Sequence, residues 1–201
     1  PNPIDTKVYH PMDQGMAREL LGLPSGKRLL LFGALNVTDK RKGIDYLIEA
    51  LRRMEKQDVE LVVFGQVKDD IRGLFPVPIH SMGYLSDESK IVALYNAVDM
   101  FITSSLEENL PNTIMESMAC GTPCVGFEIG GIPEMIDHRV NGYVTNYKDA
   151  GDLANGIQWV LEHEDRLALS DACVKKVQEN YTEEVVAKQY TALYEKLLKG
   201  E

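Results

Sequence analysis

Two carboxylates separated by seven residues, Glu108 and Glu116, bracket the stretch best suited to chemistry, SSLEENLPNTIMESMACGTP from Ser104 to Pro123. An apolar run, Met100 to Ile102, precedes the motif's loop and reads as a buried parallel strand. After a polar loop holding Glu107, Glu108 and Asn109, Pro111 marks the first turn of a helix, where its missing N–H costs nothing. Amides without intrahelical partners at that helix start, with the positive end of its dipole, attract a phosphate or another anion. Glu108 lies before the helix and Glu116 about one turn into it, so the two carboxylates flank the anion site from different heights. The arrangement suits a ligand with phosphate in the middle and hydroxyls at both ends. A nucleotide sugar is such a ligand, its ribose and hexose hydroxyls donating to carboxylates while amides and cations hold the diphosphate.

Within the helix, Ile114, Met115, Met118 and Ala119 make an apolar stripe, Asn112 and Glu116 share a face at its edge, and Gly121, Thr122 and Pro123 stop it. The elements that must position this socket alternate along the chain. Arg28 to Phe32, Val59 to Phe64, Pro76 to Met82, Met100 to Ile102, Cys124 to Phe127 and Gly142 to Val144 read as strands. Between them come a helix from Gly43 to about Met54, with Ile44, Leu47, Ile48 and Leu51 in register, and another carrying Ile91, Val92, Leu94 and Tyr95, with Ser86 as its cap. A short helix from Ala17 to Leu21 closes at Gly22, and GGIPEMI begins another. From Asp149 the pattern stays helical, with stripes Leu153, Ile157 and Val160, then Leu167 to Val177, then Val186, Tyr190, Leu193 and Leu197. This alternation indicates an α/β, doubly wound parallel sheet of Rossmann-like type with extra C-terminal helices. Right-handed crossovers then gather the loops 33 to 42, 65 to 68, 83 to 86, 104 to 111 and 128 to 133 along one edge, the expected site. In the first of them Lys40, Arg41 and Lys42 can neutralise a diphosphate, although on charge alone a solvated loop is the preferred reading.

Bulk properties narrow the class. A chain of 201 residues with 44% hydrophobic content builds one domain with a substantial core. The formal charge of −10 argues against general binding of nucleic acid or anionic membrane. Cys120, Cys124 and Cys173 are odd in number, which favours free thiols over a disulfide framework. Cys120 and Cys124 have no second Cys or His pair at ligand spacing and read as small buried residues, so no metal site is assigned. No apolar run approaches a membrane span and no signal-peptide pattern is present. His80, His138 and His163 receive no catalytic role. Residues 1 to 15, with Pro1, Pro3, Pro11 and Gly15, read as an extended linker leading into a domain that runs from 16 to 201.

The ordered series Glu108, Glu116, ESMACGTPCV, GGIPE and NGYV resembles the retaining glycosyltransferases of the GT-B fold, specifically the C-terminal nucleotide-sugar domain of family 4. The resemblance covers nearly the whole chain. It implies that Glu116 binds the donor ribose and that Glu108, the catalytic candidate, meets the hexose, with the Asn109 and Leu110 amides near the distal phosphate. Lys42, before Gly43, takes the place of the family's diphosphate lysine, backbone around Tyr84 and Leu85 holds the base, and Gly130, Gly131 and Glu134 match the loop and helix that follow.

Two departures stand out. Gly33, Ala34 and Leu35 occur where the family often has Gly-Arg-Leu, so either Arg41 or Lys40 substitutes for the missing cation or the phosphates are held more weakly. In the loop EENLPN, Asn112 stands where a glycine is usual, so donor specificity does not carry over. The resemblance implies the donor-binding part of a hexosyltransferase that needs neither cofactor nor metal and acts on a sugar or lipid-linked acceptor in polysaccharide biosynthesis. The acceptor would meet the missing N-terminal domain. The implied setting is cytoplasmic, any membrane contact belonging to that other half. A nucleotide-sugar-binding module without chemistry and a GT-B sugar-nucleotide epimerase are the alternative readings.

Overall fold

The computed structural model describes residues 1–36, 39–54, 58–66 and 72–199. Val37 and Thr38 of the first site-edge loop, and Val67 and Lys68 of the second, lie outside the described residues. Consecutive apolar residues such as Leu29 to Phe32 suit a strand covered on both faces. Six such strands, β1 (Arg28–Asn36), β2 (Val59–Gln66), β3 (Ile79–Gly83), β4 (Met100–Thr103), β5 (Cys124–Phe127) and β6 (Gly142–Thr145), pair in parallel in the order β3-β2-β1-β4-β5-β6. The sheet grows outward from β1 in one direction and from β4 in the other. The β1/β4 boundary is therefore the switch point, beside which doubly wound sheets hold ligands at their carboxyl ends. Register there pairs Leu30 with Met100 and Phe32 with Ile102, so β4 ends level with Gly33 while β1 runs on to Asn36.

Successive residues of β1 face opposite layers. Leu29 and Leu31 join a cluster with Tyr95, Ile114, Met118 and Cys173, whereas Leu30 and Phe32 join Leu47, Leu51, Leu153 and Ile157. The first layer is built from α1 (Gln14–Leu21), α3 (Glu88–Ala97), α4 (Asn112–Ala119), the one-turn α5 (Ile132–Met135) and α7 (Arg166–Asn180). The second is built from α2 (Ile44–Arg53) and α6 (Ala150–Leu161). A last helix, α8 (Glu183–Lys199), follows α7.

Several element ends differ from the sequence reading. Helix α1 starts earlier than Ala17 because Asp13 caps it, accepting from the Met16 amide at 2.8 Å, and Gly22 ends it in the left-handed conformation. The cap of α3 is Asp87, not Ser86, its carboxylate accepting from the Ser89 amide. The third strand is shorter than Pro76 to Met82, and residues 72 to 74 form a 3-10 turn ahead of it. In α7 the buried stripe is Leu169, Cys173 and Val177, while Leu167 is exposed. The stripe expected on α8 buries Val186 alone, and Tyr190, Leu193 and Leu197 face solvent. The segment expected to be a linker lies against the domain, with Ile4 buried and bridged to Thr182. All three cysteines are free and buried, and burial pushes the Cys120 and Cys124 thiols up to about 12. Among the described residues no helix is long and apolar enough to cross a membrane.

Candidate active site

Three loops are stitched together above the β1/β4 switch point. Residues 40 to 42 form a 3-10 turn, and Gly43 closes it at φ 63°, a conformation that L side chains rarely adopt. A Cβ on Gly43 would also run into the Ser104 carbonyl oxygen. The Ser104 hydroxyl donates to the carbonyl oxygens of Lys42 and Gly43, and the Leu106 amide donates to that of Arg41 at 2.7 Å. The loop after β1 is thereby fixed against the loop after β4. On the other side, Gly130 and Gly131 admit the backbone of Glu108 and Asn109, with the Gly131 amide donating to the Asn109 carbonyl. The Tyr147 hydroxyl donates to the Leu106 carbonyl at 3.0 Å and ties the loop to the end of β6.

This scaffold brings Lys42 to Glu108, Nζ to Oε1 at 2.5 Å, with both side chains half-buried. Arg41, Glu107 and Asn109 complete a cleft of 410 Å³ around the pair. Exposed Arg41 is engaged by Asp39, 2.6 Å away, and its hydrogen bonds hold that carboxyl down at about 2. Lys40 is exposed beside it. Pro111 stands one position earlier than expected, as the N-cap of α4 rather than inside its first turn, and it brings no side-chain cap. The amides that open α4 therefore meet no capping side chain there. Asn112, exposed on that first turn, accepts from Asn2 Nδ2 at 3.3 Å.

Glu116 projects from the next turn of α4 toward α3, where it accepts from the Tyr95 hydroxyl at 2.8 Å. Burial pushes its carboxyl above the ordinary range and the nearby Glu88 adds to this, while the Tyr95 hydrogen bond opposes both. Gly83, at φ 64°, turns the chain out of β3 into an exposed Tyr84 and a half-buried Leu85 that packs on the core. The space over the Gly33 Cα is filled by the Phe64 ring, whose edge meets Tyr95 at 6.2 Å between centroids. Lys42, Arg41, Glu108 and Asn109 are thus gathered in one cleft, and Glu116 is joined instead to α3. Sequence reasoning placed Tyr95 among apolar stripe residues and missed its bond to Glu116. The usable signal was chemical: a tyrosine on a buried helical face needs a partner for its hydroxyl.

At the opposite edge of the sheet, Gln14, Asn96, Asp99, Arg166 and Ser170 line a cavity of 310 Å³. Buried Asp99 there is already engaged, accepting from Arg18, Arg166 and the Leu29 amide.

The family model of the glycosyl transferases group 1 matches residues 26–163, which contain every strand and both site loops. The chain belongs to this family. The N-acetyl-alpha-D-glucosaminyl L-malate synthase of Bacillus anthracis is 25% identical over 206 residues, covering 100% of this chain and 54% of that protein. Sucrose-phosphate synthase from Thermosynechococcus elongatus shares the fold at a TM-score of 0.82 and 24% identity, over 100% of this chain and 52% of that one. Anabaena HepE, solved in complex with UDP and glucose, does so at a TM-score of 0.80 and 20% identity, over 96% of this chain and 55% of that one. The chain thus spans about half the length of the curated relative, and its fold is that of the C-terminal domain of GT-B glycosyltransferases.

Proposed function

We propose that this chain is the donor-binding half of a retaining, metal-independent glycosyltransferase that moves a hexose from a nucleoside diphosphate sugar to a sugar or lipid-linked acceptor. The observation that carries the reading is the contact of Lys42 with Glu108 at the β1/β4 switch point. One loop brings a cation for phosphate and the other a carboxylate for sugar hydroxyls, at the edge where this topology holds nucleotides. Breaking a glycosidic bond to a diphosphate develops negative charge on the leaving group, and fixed positive groups lower that barrier. Lys42, Arg41 and the amides opening α4 would supply them without a metal. Glu108 would meet the hexose beside the Asn109 and Leu110 amides, Glu116 the ribose, and the backbone of Tyr84 and Leu85 the base. The acceptor would approach from an N-terminal domain across a cleft, in a cytoplasmic setting and in polysaccharide biosynthesis.

The test is a thermal-shift panel of UDP, GDP, ADP and CDP with EDTA present, on the wild-type chain and on Glu116→Ala. A ligand that binds only the folded state adds about 2.7 kcal/mol at a hundredfold excess over Kd. One nucleotide is expected to raise the wild-type midpoint and to lose that effect in the variant. UDP is the first choice because HepE, which shares the fold, was solved with it. No shift with any of the four, or a shift that appears only when EDTA is left out, would count against the reading. The chain by itself is expected to bind donor nucleotide and to show no transfer, and measurable turnover would overturn the division of labour between halves.

A further inference from the structure

A carboxylate that recognises hydroxyl groups works best ionised and fixed in direction, since each of its oxygens then accepts at a defined place. Glu116 sits where its surroundings oppose ionisation. Burial disfavours its charge, and Glu88 on the first turn of α3 is a like charge. Tyr9 from the N-terminal segment and Cys120, one turn further along α4, also face it, and both are neutral groups whose own ionisation it hinders.

Tyr95 acts in the opposite sense. Its side chain is fully buried on α3, with Phe64 and Phe101 packed edge-on at centroid distances of 6.2 and 6.0 Å. Burial keeps the phenol protonated well above its ordinary range, so its hydroxyl is a donor with little freedom to turn elsewhere. That hydroxyl lies 2.8 Å from Oε2 of Glu116. The Phe64 ring that braces it occupies the space over Gly33, where a Cβ would strike the ring. A chain of contact therefore runs from Gly33 of β1, through Phe64 and Tyr95, to the carboxylate on α4.

We propose that Tyr95 is the positioning residue of the donor site: its hydroxyl fixes Oε2 of Glu116, so that Oε1 is presented to the hydroxyls of a bound ribose. The inference rests on the donor-site reading given above and adds to it the residue that sets the direction of the ribose contact. Removing the hydroxyl while keeping the ring should leave packing almost unchanged. It should release the carboxylate and remove a neighbour that favours its charged form.

The experiment is calorimetric titration of the chain with UDP and with 2′,3′-dideoxy-UDP across a range of acid to neutral pH, for wild type, Tyr95→Phe and Glu116→Gln. Wild type is expected to prefer UDP, and Glu116→Gln to erase the preference. Tyr95→Phe should weaken UDP about tenfold, the range of a hydrogen bond to a charged group, and leave the dideoxy analogue unaffected. It should also move the acid fall in UDP affinity to higher pH. Equal weakening of both nucleotides by Tyr95→Phe would mean a purely structural tyrosine and overturn the proposal. So would wild-type UDP affinity with an unmoved pH profile. If wild type binds no nucleoside diphosphate, or if Glu116→Gln changes nothing, the donor-site reading itself fails and the role of Tyr95 fails with it.

Discussion

Lys42 and Glu108 come from loops on neighbouring strands of the sheet and meet at 2.5 Å, a cation and a carboxylate joined across the β1/β4 switch point. A diphosphate arriving at Lys42 must compete with Glu108 for the same ammonium. Neutralising the carboxylate should therefore strengthen binding of a nucleoside diphosphate that carries no sugar, by up to about tenfold, while Lys42→Ala should weaken it by at least as much. Titration of Glu108→Gln and Lys42→Ala with UDP reads both directions. Weaker UDP binding by Glu108→Gln would show that the carboxylate assists the phosphate site and does not compete there.

Glu116 gives the second prediction, and it concerns stability. Its folded carboxyl is raised by burial first and by Glu88 second. The folded chain then holds a proton that the unfolded chain has released, in the window just above the ordinary carboxylate range. Stability falls as pH rises through that window, and at neutral pH the ionised, buried group costs free energy. Glu116→Gln keeps an oxygen for Tyr95 and avoids the charge. It should raise the neutral-pH melting midpoint by roughly 2 to 4 °C, the effect of about 1 kcal/mol in a chain of this size. The gain should vanish at acid pH. Loss of nucleotide affinity accompanied by a higher midpoint would mark a residue kept for function at the expense of stability.

Much of the frame was legible because it depends on local pattern. Cys124 to Phe127 is a short apolar run beginning just after a proline and forms the strand read from it. Ile114, Met115, Met118 and Ala119 are buried as their spacing required. Element ends were less legible, because Asp13 and Asp87 act through side-chain bonds that compete with neighbouring polar residues for the same role. Tyr190, Leu193 and Leu197 show a different limit: periodicity reveals a face, and whether anything within this chain covers it is a tertiary matter. In the candidate site, types and spacing singled out Glu108 and Glu116, and the family resemblance singled out Lys42. The Lys42 contact with Glu108 and the Tyr95 contact with Glu116 span 66 and 21 residues of sequence, and no local signal joins those partners.

The close backbone approach at Gly130 yields a third prediction. Its φ of 54° is costly for any L side chain, and an added Cβ would meet the Glu108 carbonyl oxygen. Gly130→Ala should cost about 3 kcal/mol in urea unfolding, with loss of nucleotide binding as the Glu108 loop is pushed away. Gly26→Ala is the control, since nothing lies within 4 Å of its added methyl group and its change should stay within about 0.5 kcal/mol. Equal effects at the two positions would refute the idea that the paired glycines seat this loop.

Asp99 should separate stability from ligand binding. It is buried just before β4 and accepts from Arg18 at 3.1 Å, from Arg166 at 2.5 Å and from the Leu29 amide at 2.6 Å. Arg18 is itself buried and spends its other donors on the carbonyl oxygens of Ala97, Ser25 and Lys27, so it has no exposed alternative for the group that faces Asp99. Asp99→Ala leaves a buried guanidinium without its counter-charge, and breaking such a pair from one side costs about 3 to 5 kcal/mol. The cluster lies at the amino ends of β1 and β4, across the sheet from Lys42 and Glu108. Under conditions where the variant remains folded, its UDP affinity should therefore match that of wild type. Urea unfolding and calorimetric titration on the same preparation decide the matter: a large stability loss with unchanged affinity assigns Asp99 to the frame, and a parallel loss of affinity would mean that the two edges of the sheet are coupled.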